Sequence, residues 1–282
     1  MRIVQISDTH LTHKGGVTNE NFATLVEYVN DVLKPDLVIN TGDLVILSPD
    51  SEEDREYARA AHEGFDAPVL IVPGNHDVGM PGNEPWMGIS TTSDRVSSYR
   101  KTFGSDRFVQ MLDSTWAIIG LNSELLSSGL EEEDEQWSWL EQVAQEVRGR
   151  SVALFLHRPL WSPMPEVTDH ELALQDADRD RIVGLFSDSR LRMVASGHLH
   201  RFMRAEQNET LTISAPSTAF IVRGGSLGIN QLGVVEYVIE GERLDAYFRS
   251  VPNLVEDEPF ALAAFTETLA DIEAAREVAA VN

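Results

Sequence analysis

Short apolar runs alternate with amphipathic stretches through the first half of this chain. Ile3 to Ile6 is a strand-length run that leads to Asp8. Phe22, Leu25, Val26, Val29 and Leu33 then recur at the spacing of one helical face. Pro35 stops that helix, because a proline can neither donate nor fit inside one. Leu37 to Ile39 predicts a second strand, Glu52 to Glu63 a second helix, and Val69 to Val72 a third strand broken by Pro73-Gly74. Such a β-α-β-α-β series predicts an α/β fold.

The pattern continues with a loop from Gly79 to Gly88, a short helix from Asp94 to Phe103, and paired strands at Phe108 to Leu112 and Ala117 to Leu121. Trp137, Leu140, Val143 and Val147 form the inward face of a helix over Asp134 to Val147. Val152 to Leu156 is a strand that reaches His157; Asp178 to Phe186 is a helix; Met193 to Ala195 is a strand that reaches Gly197-His198. Beyond Arg201 the pattern changes to short strands at Thr210 to Ser214, Ser217 to Val222, Gln231 to Ile239 and Leu244 to Phe248. These read as a second, mixed or antiparallel sheet. Pro259 to Ala280 is an Ala-rich amphipathic helix carrying Leu262, Phe265, Leu269 and Ile272. The expected organisation is one domain over residues 1–255, with residues 256–282 as a C-terminal helix packed on it or on another subunit.

Composition narrows the function. With 282 residues, 42% of them hydrophobic, the chain can bury a core and fold alone. It has no cysteine, so disulfides, thiolate metal sites and cysteine nucleophiles are excluded. A metal site here must use His, Asp, Glu, Asn or water, ligands that suit Mn, Fe, Zn, Co or Mg. The net charge of -24 repels polyanions, which argues against a long nucleic acid or an anionic membrane as partner. No run reaches the roughly 18 apolar residues that a membrane-spanning helix needs. The N-terminus enters a strand pattern at once, without a signal-peptide core, so the expected location is cytoplasmic.

The chemistry sits just beyond the strands. Asp8 and His10, then Asp43, then Asn75 and His76, then His157, then His198 and His200 each follow an apolar run. In α/β sheets, ligand-binding groups gather at the carboxyl ends of strands. Five strand ends therefore deliver metal-favouring residues to one edge. Asp8 and His10, like His198 and His200, are two apart, and in an extended segment such residues point to the same side. Gly42, Gly74 and Gly197 precede the polar groups, where positive φ and close backbone approach are useful. Two divalent ions sharing a carboxylate would sit about 3.5–4 Å apart and clamp the oxygens of a displacement. Asp43, central in the series and with two oxygens, is the natural bridge.

The set Asp8-x-His10, Gly42-Asp43, Gly74-Asn75-His76-Asp77, His157 and Gly197-His198-x-His200 resembles the calcineurin-like metallophosphoesterase superfamily, with all five motifs in order. Ala215-Pro216-Ser217-Thr218-Ala219-Phe220 and Gln136-x-x-Trp139-Leu140 are similar to its bacterial class III cyclic-nucleotide and glycerophosphodiester phosphodiesterase branch. The resemblance implies a four-layer α/β sandwich, two mixed β-sheets flanked by helices. It implies that Asp8, His10 and His200 bind one divalent ion (Mn, Fe, Zn or Co), that Asn75, His157 and His198 bind a second, and that Asp43 bridges them. His76 would serve the phosphoryl group rather than a metal. The implied reaction is in-line attack of a metal-bound hydroxide on a small phosphodiester. Phosphomonoesters, phosphotriesters and phosphonate esters are alternative substrates, and a metal-dead scaffold is a further reading. A homo-oligomer is left open.

Other residues carry plainer readings. His13, His62 and His170 read as ordinary polar positions, and Asp77 as a helix cap or support for the ligands. Arg158 and Arg201 could contact phosphate or serve structure. Trp86 and Trp161 follow ligand motifs and could stack on a flat leaving group; the loop 163–176 could shape a pocket. The run Glu131 to Glu135 reads as solvated charge at a helix N-terminus.

Overall fold

In the computed structural model, which describes residues 1–82, 85–162, 172–223 and 227–281, strand Arg2–Ile6 (β1) is central to the first sheet. It pairs in parallel with Leu37–Asn40 (β2), which pairs in parallel with Val69–Ile71 (β3). On its other side β1 meets Gly233–Glu240 (β10) antiparallel, followed by Arg243–Ser250 (β11). The order is β11-β10-β1-β2-β3. The second sheet runs Phe108–Met111 (β4), Trp116–Gly120 (β5), Ser151–Phe155 (β6), Arg190–Ser196 (β7), Thr210–Ser214 (β9) and Met203–Gln207 (β8), parallel from β5 to β9 with antiparallel edges.

Two mixed sheets face one another, and the helices cover their outer faces. Alternation along β1 shows why. Ile3 packs between the sheets with Leu37, Ile39, Ile118, Phe155 and Ala195. Val4 and Ile6 point the other way, against Phe22, Leu25 and Val29 of the first helical segment and Val96 and Tyr99 of Ser93–Phe103 (α4). Glu131–Glu146 (α5) and Asp176–Leu185 (α6) cover the second sheet through Trp137, Leu140, Val143 and Ile182. Gln5, buried between the sheets, joins them: its amide donates to Thr41 Oγ1 (2.9 Å) and to the Ser196 carbonyl (3.1 Å), and it accepts from the Tyr237 hydroxyl (2.6 Å).

Several local expectations change. The strands beyond Arg201 do not form a sheet of their own; β8 and β9 extend the second sheet and β10 and β11 the first. Segment 217–222 is not a strand, because it turns back across the end of β1, where Thr218 N–H donates to the Ser7 carbonyl. Strand β8 went unread, since Met203–Gln207 is an edge with mostly exposed positions and little apolar signal. The first helix, Val17–Tyr28 (α1), widens into a π-helical turn at Val29–Leu33 and ends at Lys34 in the left-handed region, ahead of Pro35. The remaining helices are Glu52–His62 (α2), the short Asn75–Val78 (α3) and the C-terminal Ala263–Val281 (α7). Among the described residues no helix is long and apolar enough to cross a membrane.

Candidate metal centre

Parallel pairing brings the carboxyl ends of β1, β2 and β3 to one edge, and those of β6 and β7 to the facing edge. The segments beyond them stay side by side. His10 N–H donates to the Asp43 carbonyl (3.0 Å), and Gly197 N–H donates to the His157 carbonyl (2.9 Å). All eight predicted positions therefore meet. Asp8, His10, Asp43 and His200 place one ligand atom each within 4.8 Å of one another, and so do Asp43, His157 and His198. Asp43 belongs to both groups. Its Oδ1 faces His157 Nε2 (3.4 Å) and its Oδ2 faces His10 Nε2 (3.9 Å). Asn75 Oδ1 lies 3.0 Å from His157 Nε2.

The two-apart spacing works by a route other than the extended geometry expected. Asp8, His10, Asp43, His198 and His200 all sit at positive φ, between 45° and 69°. L-residues adopt that region at a cost of order 1–3 kcal/mol each, so such conformations persist only where the surroundings impose them. Gly42 has the φ of +99° that was anticipated. Gly197 is needed for space rather than for φ, because a Cβ there would strike Ser7 and Asp8.

Hydrogen bonds fix the rings. His10 Nδ1 donates to the Ile46 carbonyl (3.2 Å), His157 Nδ1 to Thr41 (2.8 Å) and His200 Nδ1 to Phe220 (3.2 Å). A carbonyl only accepts, so each Nδ1 carries the hydrogen, and a ring that is otherwise unprotonated turns an Nε2 lone pair inward. His10 Nε2 and His200 Nε2 then lie 3.2 Å apart, with Asp8 Oδ1 3.2 Å from the latter. Acceptors converging without a donor between them form a repulsive arrangement that a divalent cation resolves. This donor set fits two such ions, with carbonyls orienting the imidazoles from behind.

The protonation preferences agree with that reading. Burial alone would raise the Asp8 carboxyl, but His200 beside it brings it down to about 2. Asp43 is likewise held well below its ordinary value, burial being overcome by His157 and His76. Burial lowers His10 and His198 to about 3, which keeps them neutral. His157 is the exception: against the burial that would lower it, Asp43 pushes it up to about 10. The site demands positive charge, and in the chain alone a proton on His157 supplies some of it.

The sequence model of the calcineurin-like phosphoesterases matches residues 1–202. The chain belongs to the calcineurin-like phosphoesterase family. It is 25% identical over 262 residues to a protein of Arcobacter nitrofigilis named "Probable glycerophosphodiester phosphodiesterase GpdQ", covering 88% of each chain. It is 32% identical over 179 residues to the zebrafish (Danio rerio) serine/threonine-protein phosphatase CPPED1, covering 60% of this chain and 55% of that protein. Among solved structures, a dimetal phosphatase from Danio rerio superposes with a TM-score of 0.60 at 13% identity, over 91% of this chain and 97% of that one. The chain is thus a metallophosphoesterase, a hydrolase of phosphoric esters.

Other residues of this phosphoesterase take support positions. Asp77 accepts from the backbone N–H groups of Gly74 (2.8 Å), Leu44 (2.9 Å) and Val45 (3.2 Å), so it pins the Asp43 and Asn75 turns to each other. Burial and the nearby Asp43 charge raise it to about 7. Arg158 is buried and its Nε pairs with buried Glu124 at 3.0 Å, while Nη2 donates to the Ser123 carbonyl. Arg201 donates to the Leu227 and Val222 carbonyls. His13 belongs to neither ligand group and bonds Asp54 (2.7 Å). His62 is buried, donating from Nδ1 to the Ala58 carbonyl (2.7 Å). Trp161 is half-buried against the core outside the second sheet. His170 and most of the loop 163–176, like the Trp86 side chain, lie outside the described residues.

Sequence reasoning missed the carbonyls of Thr41, Ile46 and Phe220, which every residue type could provide. It also missed Ser217, whose hydroxyl donates to the Asp8 carbonyl (2.9 Å) and accepts from Ala219 N–H (3.0 Å). The resemblance of the segment 215–220 was the only signal for Phe220 and Ser217; the Thr41 and Ile46 carbonyls had none.

Proposed function

We propose that this phosphoesterase hydrolyses small phosphodiesters with two divalent ions. Asp8, His10 and His200 would hold one ion and Asn75, His157 and His198 the other, with Asp43 common to both. The observation that carries the reading is Asp43, one residue shared by two ligand groups, with an oxygen turned to each. The ligand types suit Mn, Fe, Zn or Co. When bound, two such cations would supply Lewis acidity to the reaction.

The chain's own residues do the rest. The carbonyls of Ile46, Thr41 and Phe220 hold the imidazoles in the tautomer that leaves Nε2 for the ions. His76 sits apart from both ligand groups. Its backbone N–H is tied to Asp43 Oδ1 (2.9 Å), its Nδ1 donates to the Ile46 carbonyl (3.0 Å), and its Nε2 lies 3.7 Å from Asp43 Oδ2. Burial holds the His76 ring below the ordinary imidazole value, so the chain alone keeps it neutral; an anionic phosphoryl group beside it would favour the protonated form, which presents an Nε2–H at the edge of the centre. It donates to the phosphoryl oxygens or gives the proton to the leaving alkoxide as the ester P–O bond breaks. Such general-acid help is worth about 10²–10⁴-fold.

Two features support a small diester over a polymer or a monoester. The net charge of -24 disfavours polyanions. Arg158, the cation next to His157, is engaged with Glu124, which suits a singly charged diester better than a dianionic monoester. The zebrafish phosphatase relative supports the monoester as second reading.

The test is hydrolysis of bis(p-nitrophenyl) phosphate and of p-nitrophenyl phosphate by chelator-stripped protein, with and without Mn²⁺. Metal-dependent release from the diester, faster than from the monoester, is the expected result. Release from the monoester alone would replace this reading with the second one.

A further inference from the structure

The C-terminal helix α7 lies beyond the residues matched by the family, and none of its described residues belongs to either ligand group. Its position nevertheless concerns the centre. Leu262, just before the helix, and Phe265 within it are buried in one cluster with Ile46, Leu47, Ala219 and Phe220. Val17 and Met87 pack against the same cluster. Ile46 and Leu47 follow Asp43 closely, Val17 lies on the segment that leads away from the Asp8–His10 turn, and Met87 on the segment beyond the His76 motif.

Two of the clustered residues hold the ligands directly. The Ile46 carbonyl accepts from both His10 and His76, and the Phe220 carbonyl accepts from His200. The Phe220 ring also stacks on His10 (centroids 4.6 Å apart, planes 28° apart) and leans on His200 (4.8 Å). Phe265 meets the Phe220 ring edge-on at 5.9 Å. A continuous packed path therefore runs from α7 through Phe220 to two imidazoles of the same half. The other half is oriented differently: His157 donates to Thr41, in the turn beyond β2, and Thr41 is not part of this cluster.

We infer that the C-terminal helix is a positioning element for the Asp8–His10–His200 half and sets the affinity of that half alone for its cation. Phe265 and Phe220 are the positioning residues. The inference rests on the two-ion reading above. Groups that orient metal ligands from behind change affinity by about 10–100-fold when removed.

The test measures Mn²⁺ binding by calorimetry and by metal analysis after dialysis, in two backgrounds. His157→Ala leaves the first half as the better site, and His10→Ala leaves the second. Phe265→Ala is expected to weaken the remaining ion about tenfold in the His157→Ala background and to leave it unchanged in the His10→Ala background. Phe265→Leu should restore most of the loss. Met111→Ala, which removes a side chain 39% exposed on the edge strand β4, should do nothing. Should Phe265→Ala fail to fold, Phe220→Leu keeps the carbonyl, removes the stack, and should weaken the same ion. Equal weakening in both backgrounds, or none in either, overturns the inference while wild type still takes up two ions. A wild-type chain that takes up no Mn²⁺ removes the two-ion reading and this inference with it.

Discussion

The two halves of the metal centre are built by different means. In the first, Asp8 and His10 are fully buried, and both, with His200, occupy left-handed backbone conformations. An aromatic ring lies against the two imidazoles and a helix stands behind that ring. In the second, Asn75 opens the short helix α3, His157 follows a regular strand and is just as buried, and His198, also left-handed, is half-buried. The first half is held by packing from outside the sheets; the second is held by the facing edges of the sheets themselves. Ligands packed from behind by a ring and a helix lose little on binding, whereas a half-exposed ligand such as His198 admits solvent and exchanges more readily. Unequal affinities for two ions should follow, with the first half the tighter.

Asp43 is the sharpest way to break this comparison, since it serves both sides. Asp43→Ala should lower hydrolysis by about 10⁴-fold or more, because the reacting water loses its acidification. Metal analysis should find both ions weakened together. Loss of one ion with retention of the other at full affinity would show that Asp43 is not the bridge. His76→Ala comes next. Turnover should fall by about 10²–10⁴-fold while metal analysis still finds two ions. A fully active His76→Ala enzyme would remove the residue from the chemistry.

Single-ligand variants sharpen the comparison itself. His157→Ala and His10→Ala should each take the chain from two ions to one. The ion kept by His157→Ala, in the packed half, should bind more tightly by about tenfold, the scale at which orienting groups act. Equal affinities would mean that packing behind the first half contributes nothing.

How much of this was legible in the sequence follows from what each feature depends on. The convergence of the candidate ligands could be read because each is a polar residue just past an apolar run, and parallel topology brings such positions together. Asp77 could be read as support because it stands at the third position of the short helix whose N-terminus it caps. The left-handed conformations of Asp8 and His10 were hidden, since only glycine advertises positive φ in a sequence. The carbonyl of Ile46 was hidden as well, since a backbone acceptor has no residue-type signature. Strand β8 carries too few buried positions to show a period, and β10 and β11 return to the first sheet through long-range pairing that local pattern does not encode.

Arg158 gives the prediction with the smallest catalytic effect. It adjoins His157 and so lies in the more open half, where a phosphate contact would be natural. The structure instead buries it with Glu124, Nε to carboxylate at 3.0 Å, and ties its backbone N–H to Ser123 Oγ at 3.0 Å. Arg158→Met would leave the Glu124 carboxylate buried without its partner, at a cost of about 3–5 kcal/mol in stability. Hydrolysis below the lowered melting point should keep its KM for bis(p-nitrophenyl) phosphate within about twofold, since less than about 0.5 kcal/mol of binding is at stake at that ratio. The double variant Arg158→Met, Glu124→Leu should recover much of the stability, because removing both charges also removes the desolvation that the pair had to offset. A large rise in KM that the double variant fails to reverse would place Arg158 against the substrate. The open half would then owe part of its function to a charge and not to exposure alone.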